Sequence, residues 1–161
     1  MPLEHLNTLI NNLEQFDLAK EQEIIIEDNK DVLADLQAEQ WGSTSKDYAG
    51  RDIKLLDNPQ YGEGYRPFTI EKKKREGVGL GSVTNRVTNY QTGELFRLMK
   101  TNINAGKFFF TSDVPYFKSL MRREGDPTGL DHDQRLKFAE TYVRPGINAV
   151  LKEKTGLTLV H

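Results

Sequence analysis

The chain has 161 residues, no cysteine and a formal net charge of −2; its length suits one domain that buries roughly 70% of its unfolded surface. The lack of cysteine excludes a disulfide framework and any cysteine-ligated zinc site. The longest apolar runs, Ile24-Ile25-Ile26 and Phe108-Phe109-Phe110, fall far short of the roughly 20 residues of a membrane-spanning helix, and Met1 to Ile10 lacks a signal peptide's basic start and apolar core, so the expected setting is cytosolic, with no membrane partner.

The small net charge conceals an asymmetry. Residues 1–40 hold ten acidic and two basic residues, net −8, and residues 41–161 hold fourteen acidic and twenty basic, net +6. Two readings follow: a solvated acidic helix face, or head-to-tail contact in which the acidic region of one subunit meets the basic region of the next.

In chain order, Leu3, Leu6, Leu9, Ile10, Leu13 and Phe16 recur at three- and four-residue intervals, which predicts a first helix. Asp17 is an N-cap candidate for a second, over about 18–40, whose stripe runs through Ile25, Val32, Leu33 and Leu36 toward Trp41. At 1.5 Å per residue this helix would be roughly 35 Å long, and its stripe needs cover from the hairpin described below or from another subunit.

From 42 to 82 the periodicity is lost. Seven of the thirteen glycines lie there, with Pro59, Pro67 and the turn signal Asp57-Asn58-Pro59, which predicts a long Gly-rich loop, more often functional than idle. Within it Lys72, Lys73, Lys74 and Arg75 form a basic run flanked by Glu71 and Glu76, a candidate partner contact. Phosphate binding is the sharper reading, but no aromatic residue interleaves the run, so a solvated or partner-facing loop is favoured over DNA contact. Gly77, Gly79 and Gly81 do not make a phosphate loop: Ser82 stands where a dinucleotide fingerprint needs its third glycine, and no Gly-Lys-Ser/Thr follows. Backbone freedom is the expected reason for these glycines.

Tyr90 to Thr111 is the organising stretch, expected as a β-hairpin. Leu95, Met99 and Ile103 alternate onto one face while Phe96, Leu98, Lys100 and Asn102 point the other way. Asn104-Ala105-Gly106 supplies the turn, and Lys107 to Ser112 the return strand with its three phenylalanines. At least one of those rings should face a helix or a neighbouring subunit. Asp113 is expected to cap a short helix with Pro115 in its first turn, ending before Gly125. Asp131 and Gln134 match a capping box for a last helix, which Pro145-Gly146 must kink or split and Gly156 should stop.

No catalytic constellation emerges. His5 and His161 are near the termini, and His132 lies between Asp131 and Asp133, but adjacent helical residues point in different directions, which argues against a metal site. There is no nucleophile elbow and no cysteine nucleophile. The chain is expected to be non-enzymatic, with no cofactor and no metal.

An ordered set of short motifs remains: Trp41, Gly50, Tyr61, Thr69 and Lys72 to Lys74, then Thr92-Gly93-Glu94-Leu95, Pro115-Tyr116, Glu124-Gly125 and Arg144-Pro145. In this order they resemble the tail-completion and virion-morphogenesis proteins of tailed bacteriophages, a group similar to small head-tail joining proteins. The match runs in scattered pieces from Trp41 to the C-terminus; it departs at Leu98, where that family often has serine. The resemblance implies an α+β fold, a small antiparallel sheet with a central hairpin packed by N-terminal and C-terminal helices, in one domain over 1–161. It makes Thr92, Gly93, Leu95, Pro115, Tyr116, Gly125, Arg144 and Pro145 fold determinants. It also implies a virion component of the neck or tail end, assembled in the host cytoplasm as a homo-oligomeric ring against portal or connector and tail-tube or tail-terminator proteins.

Overall fold

The structure, a computed structural model, describes residues 3–53, 65–77, 79–90, 92–104 and 107–157. The Asp57-Asn58-Pro59 turn, Tyr61, the Ala105-Gly106 part of the hairpin turn and His161 lie outside the described residues. The fold is α+β, with helices α1 (Leu3–Glu14), α2 (Leu18–Asp28), α3 (Lys30–Glu39), α4 (Pro67–Glu76), α5 (Glu94–Arg97), α6 (Phe117–Glu124), α7 (His132–Phe138) and α8 (Arg144–Thr155) and an antiparallel pair, β1 (Met99–Asn104) and β2 (Lys107–Ser112). The chain, expected as a single domain, divides into two compact units, residues 1–29 with 136–161 and residues 30–135.

In the first unit α1 and α2 each pack on α8. Asp17 caps α2 as expected, its carboxylate accepting from the Lys20 N–H at 3.1 Å. The α2–α8 crossing is close because Gly146 has no side chain: a Cβ there would lie 2.8 Å from Ile25 Cδ1, and Ile25 is buried. Glu21, also buried, pairs with Lys154. The last helix is split near Pro145 as expected: a π-helical turn over Ala139–Val143 separates α7 from α8, which Arg144-Pro145 opens. The wider turn absorbs the missing N–H and the ring's crowding of the preceding turn. Gly156 stops α8 in the left-handed region, φ +75°.

The second helix does not run unbroken over 18–40. It stops at Asn29 (φ −113°, ψ 19°), whose side-chain amide donates to the Ile25 carbonyl at 2.8 Å, a local bond that competes with the helical ladder. In the second unit α3 then packs on β1, so the hairpin of the same chain covers the Leu33–Leu36 stripe. The hairpin's buried side is Met99, Thr101 and Phe110, with Thr101 opposite Phe110; Phe109, across from Asn102, points outward and is 52% exposed. Phe108 meets Phe110 edge to face at 5.7 Å.

Three local expectations are corrected. Leu95 is not in a strand: Glu94–Arg97 is a helical turn entered through Gly93 at φ +82°, where a Cβ would also strike the Tyr90 hydroxyl at 2.7 Å. Asp113 caps nothing; it pairs with Lys100, and α6 begins only at Phe117. The capping box is half made. Gln134 N–H donates to Asp131 Oδ1 at 2.9 Å, but the Asp131 N–H donates to Gln40 Oε1 at 2.8 Å, leaving Gln134 Oε1 buried without a partner among the described residues.

The described parts of 42–82 hold more regular structure than the expected loop. A π-helical turn runs over Gln40–Thr44, a bridge joins Lys46 to Asp52, α4 occupies 67–76 and a 3₁₀ turn Gly79–Ser82. Fully buried Gln40 holds this segment to the one before α7, donating to the carbonyls of Lys46 at 2.9 Å and Gly129 at 3.0 Å. Asp47 organises its own turn. Burial would raise its pKa, but hydrogen bonds from the backbone and guanidinium of Arg51 and from the Ala49 N–H hold it below the usual value.

Gly77 is required for closeness rather than for backbone freedom. Its φ is −79°, yet a Cβ would lie 2.3 Å from Gly81 O and 2.4 Å from Lys73 O, both backbone atoms that no side-chain rotation relieves. Gly77→Ala should therefore cost about 3 kcal/mol, whereas Gly50→Ala, at φ +73° with nothing within 4 Å, should cost only about 1 kcal/mol. Urea denaturation of the two variants checks this, and equal losses would refute it.

Candidate functional site

Helix α4 is what turns the basic run into a site. Pro67 sits in its first turn, where a missing N–H costs nothing, and Gly77 follows its last residue. At about 100° per residue the four cations separate. Lys73 points inward and is buried at 4% exposure, Lys72 is half-buried, Lys74 and Arg75 are exposed, and Arg75 meets the adjacent Glu76 at 2.7 Å. The run is therefore not one partner-facing patch, and Lys73 is no surface contact.

Lys73 anchors a buried polar network. Its ammonium donates to Tyr90 O at 2.6 Å, Gly81 O at 3.1 Å and Thr88 Oγ1 at 3.5 Å, and lies 4.8 Å from the Tyr65 ring centroid, a favourable cation–π placement. Burial lowers its pKa from the ordinary 10.5. Tyr65 Oη accepts from the Thr88 N–H at 2.9 Å and the Asn89 N–H at 3.2 Å; burial raises the Tyr65 pKa despite those bonds. Asn89, at φ +54°, carries the network on to α6, donating to Glu124 Oε2 at 2.7 Å. The fully buried Glu124 carboxylate also accepts from Arg123 Nη2 at 3.0 Å.

Over this network lies a cleft of about 530 Å³ lined by Tyr65, Arg66, Phe68, Thr69, Lys72, Lys73, Asn89, Tyr90, Tyr116, Leu120 and Arg123. Phe68 is 73% exposed and Tyr116 48% exposed. No acidic side chain is among the described residues that line it. Burial, then the nearby Glu94 carboxylate, raises the Tyr116 pKa. Asn89 Oδ1 and Arg123 Nε are buried without a hydrogen-bond partner among the described residues.

Of the residues singled out in the sequence, Thr69, Lys72, Lys73 and Tyr116 come together here. Gly93 abuts Tyr90 from behind, and Gly125 ends α6 at φ +73°, with the Asp126 N–H donating to Met121 O at 2.8 Å, the Schellman pattern. Thr92 Oγ1 accepts from the Glu94 N–H at 3.4 Å, and Leu95 is buried. Pro115 lies in the turn just before Tyr116. Arg144 and Pro145 open α8 in the other unit. Sequence reasoning missed Tyr65, Phe68, Asn89 and Arg123 as site residues, and singled out Glu124 only as part of the Glu124-Gly125 motif. A signal for α4 was present in Pro67 and Gly77, ten residues apart at the positions that start and stop a helix.

Among the described residues no group of three or more histidines and carboxylates is placed to hold a metal ion, and no helix is long and apolar enough to cross a membrane. No family model, curated protein or solved structure matches the chain.

Proposed function

We propose that the protein is a non-enzymatic structural component of a tailed-phage particle, which joins head to tail or completes the tail as a homo-oligomeric ring. The observation that carries this reading is the order of the motifs Thr92-Gly93-x-Leu95, Pro115-Tyr116, Glu124-Gly125 and Arg144-Pro145. Each falls at a junction of the fold: the turn into α5, the lead into α6, the left-handed stop of α6 and the opening of α8. Self-association is supported by the opposite charges of 1–40 and 41–161 and by the exposed stripe Leu6, Ile10 and Leu13 on α1, spaced to form one apolar face. Its neighbours in the particle would be portal or connector and tail-tube or tail-terminator proteins. Mass spectrometry of purified particles and of assembly intermediates should find the chain in stoichiometric amount; its absence from both refutes the proposal. Deleting the gene should leave filled heads and finished-looking tails separate, and normal infectious particles would reject the role.

A second reading, a binding module that contacts nucleic acid or a portal through the basic segment, draws support from the cationic and aromatic cleft of the second unit.

A further inference from the structure

We infer that the cleft lined by α4 and α6 is a binding site for a nucleoside phosphate, the aromatic-plus-phosphate unit shared by free nucleotides and single-stranded nucleic acid. The basic run alone argues against nucleic acid because no aromatic residue interleaves it. Tertiary structure supplies what the run lacks: Phe68 from the first turn of α4 and Tyr116 from the turn before α6 stand in one cleft with Arg66, Lys72 and Arg123.

Every base has a π-face, so exposed rings such as Phe68 and Tyr116 are stacking platforms that tolerate any sequence. Guanidinium and ammonium groups match phosphate oxygens, and no acidic side chain is among the described residues that line the cleft, the nearby Glu124 carboxylate being engaged by Asn89 and Arg123. The N-terminus of α4 opens on the same space with no side-chain cap on its first turn, so the positive end of the helix adds to the field. Arg123 lines the cleft with a side chain 38% exposed, while its Nη2 donates to Glu124. The volume, about 530 Å³, lies in the range of clefts that enclose a compact ligand; an acidic helix would need an extended groove instead.

The test is fluorescence anisotropy of the full chain with a fluorescein-labelled oligothymidine, with thymidine 5′-monophosphate and a polyglutamate peptide as competitors. Saturable binding is expected that weakens as salt rises from about 50 to about 200 mM. Phe68→Ala should weaken it about 5- to 100-fold and Phe68→Trp should preserve it, while Arg66→Gln and Lys72→Gln should each lower the salt slope by about 0.7. Circular dichroism confirms that each variant is folded. Displacement by the mononucleotide assigns the site to free nucleotides, and displacement only by unlabelled oligothymidine assigns it to a strand; both uphold it. No saturable binding, binding unaffected by Phe68→Ala, or displacement by polyglutamate as effective as by oligothymidine overturns the inference. Because the inference concerns the cleft alone, these outcomes are read independently of whether the chain is found in particles.

Discussion

Trp41→Ala should be the most damaging single truncation in the second unit, costing about 3–5 kcal/mol. Trp41 is the only tryptophan and is fully buried, in the π-helical turn that follows α3. Its neighbour Gly42 leaves no spare room for the turn to relax, since a Cβ there would lie 2.7 Å from Leu80 Cδ1 and 3.5 Å from Phe96. Removing the indole therefore leaves a cavity in a region that cannot collapse onto it. Trp41→Phe should be far milder, about 1 kcal/mol: it loses ring volume but also removes Nε1, a buried donor without a hydrogen-bond partner among the described residues that costs free energy where it stands. Urea denaturation followed by circular dichroism, which does not depend on tryptophan emission, measures both. A loss under 1 kcal/mol for Trp41→Ala would show that the turn is not a core element.

Lys73→Met should destabilise the protein by about 2 kcal/mol at neutral pH. The thioether keeps the stem's packing, but the Tyr90 and Gly81 carbonyls lose the ammonium that bridges them. Part of that loss is offset because a buried cation no longer needs desolvation. The pH dependence separates the two effects. Burial lowers the folded-state pKa of Lys73 below 10.5, so between the folded value and 10.5 the unfolded chain binds more protons than the folded one. Stability then rises with pH in that window. The methionine variant has no such linkage, so the stability difference between wild type and variant should widen as pH rises from neutral toward 10.0. The range is chosen to stay below the window of Tyr65, whose raised pKa acts in the opposite direction: its contribution is lost as pH climbs above 10.0. A difference that stays flat would mean the ammonium is not desolvated in the folded state, and equal stabilities would remove the network from the structure's supports.

Both variants act on residues whose importance the linear chain conveyed unequally. Trp41 was marked by the apolar stripe through Leu33 and Leu36 that leads to it, and α3 duly presents that stripe to β1. Lys73 stood in a run of four cations where nothing set it apart. Only the helical turn, about 100° per residue, and the acceptors at Gly81, Thr88 and Tyr90 distinguish it from Lys72 and Lys74.

What the sequence determined by itself are features in which a residue acts on its immediate neighbours. Asp17 caps α2, Asp131 caps α7, Gly125 and Gly156 end their helices, and the alternation of β1 against the phenylalanines of β2 makes a hairpin. These depend on a few adjacent φ, ψ angles and on one periodicity. Tertiary structure decided the rest: the stop at Asn29, the helical turn at Glu94–Arg97, helix α4 and the 3₁₀ turn at Gly79–Ser82, and the cleft itself. Helix α4 shows the reason. Its sequence, Pro-Phe-Thr-Ile-Glu-Lys-Lys-Lys-Arg-Glu, has no apolar stripe to announce a helix, because the side chain it buries is a lysine. That burial is tolerable only when carbonyls and a ring from distant positions converge on the ammonium, a condition written in three dimensions and in no window of the chain.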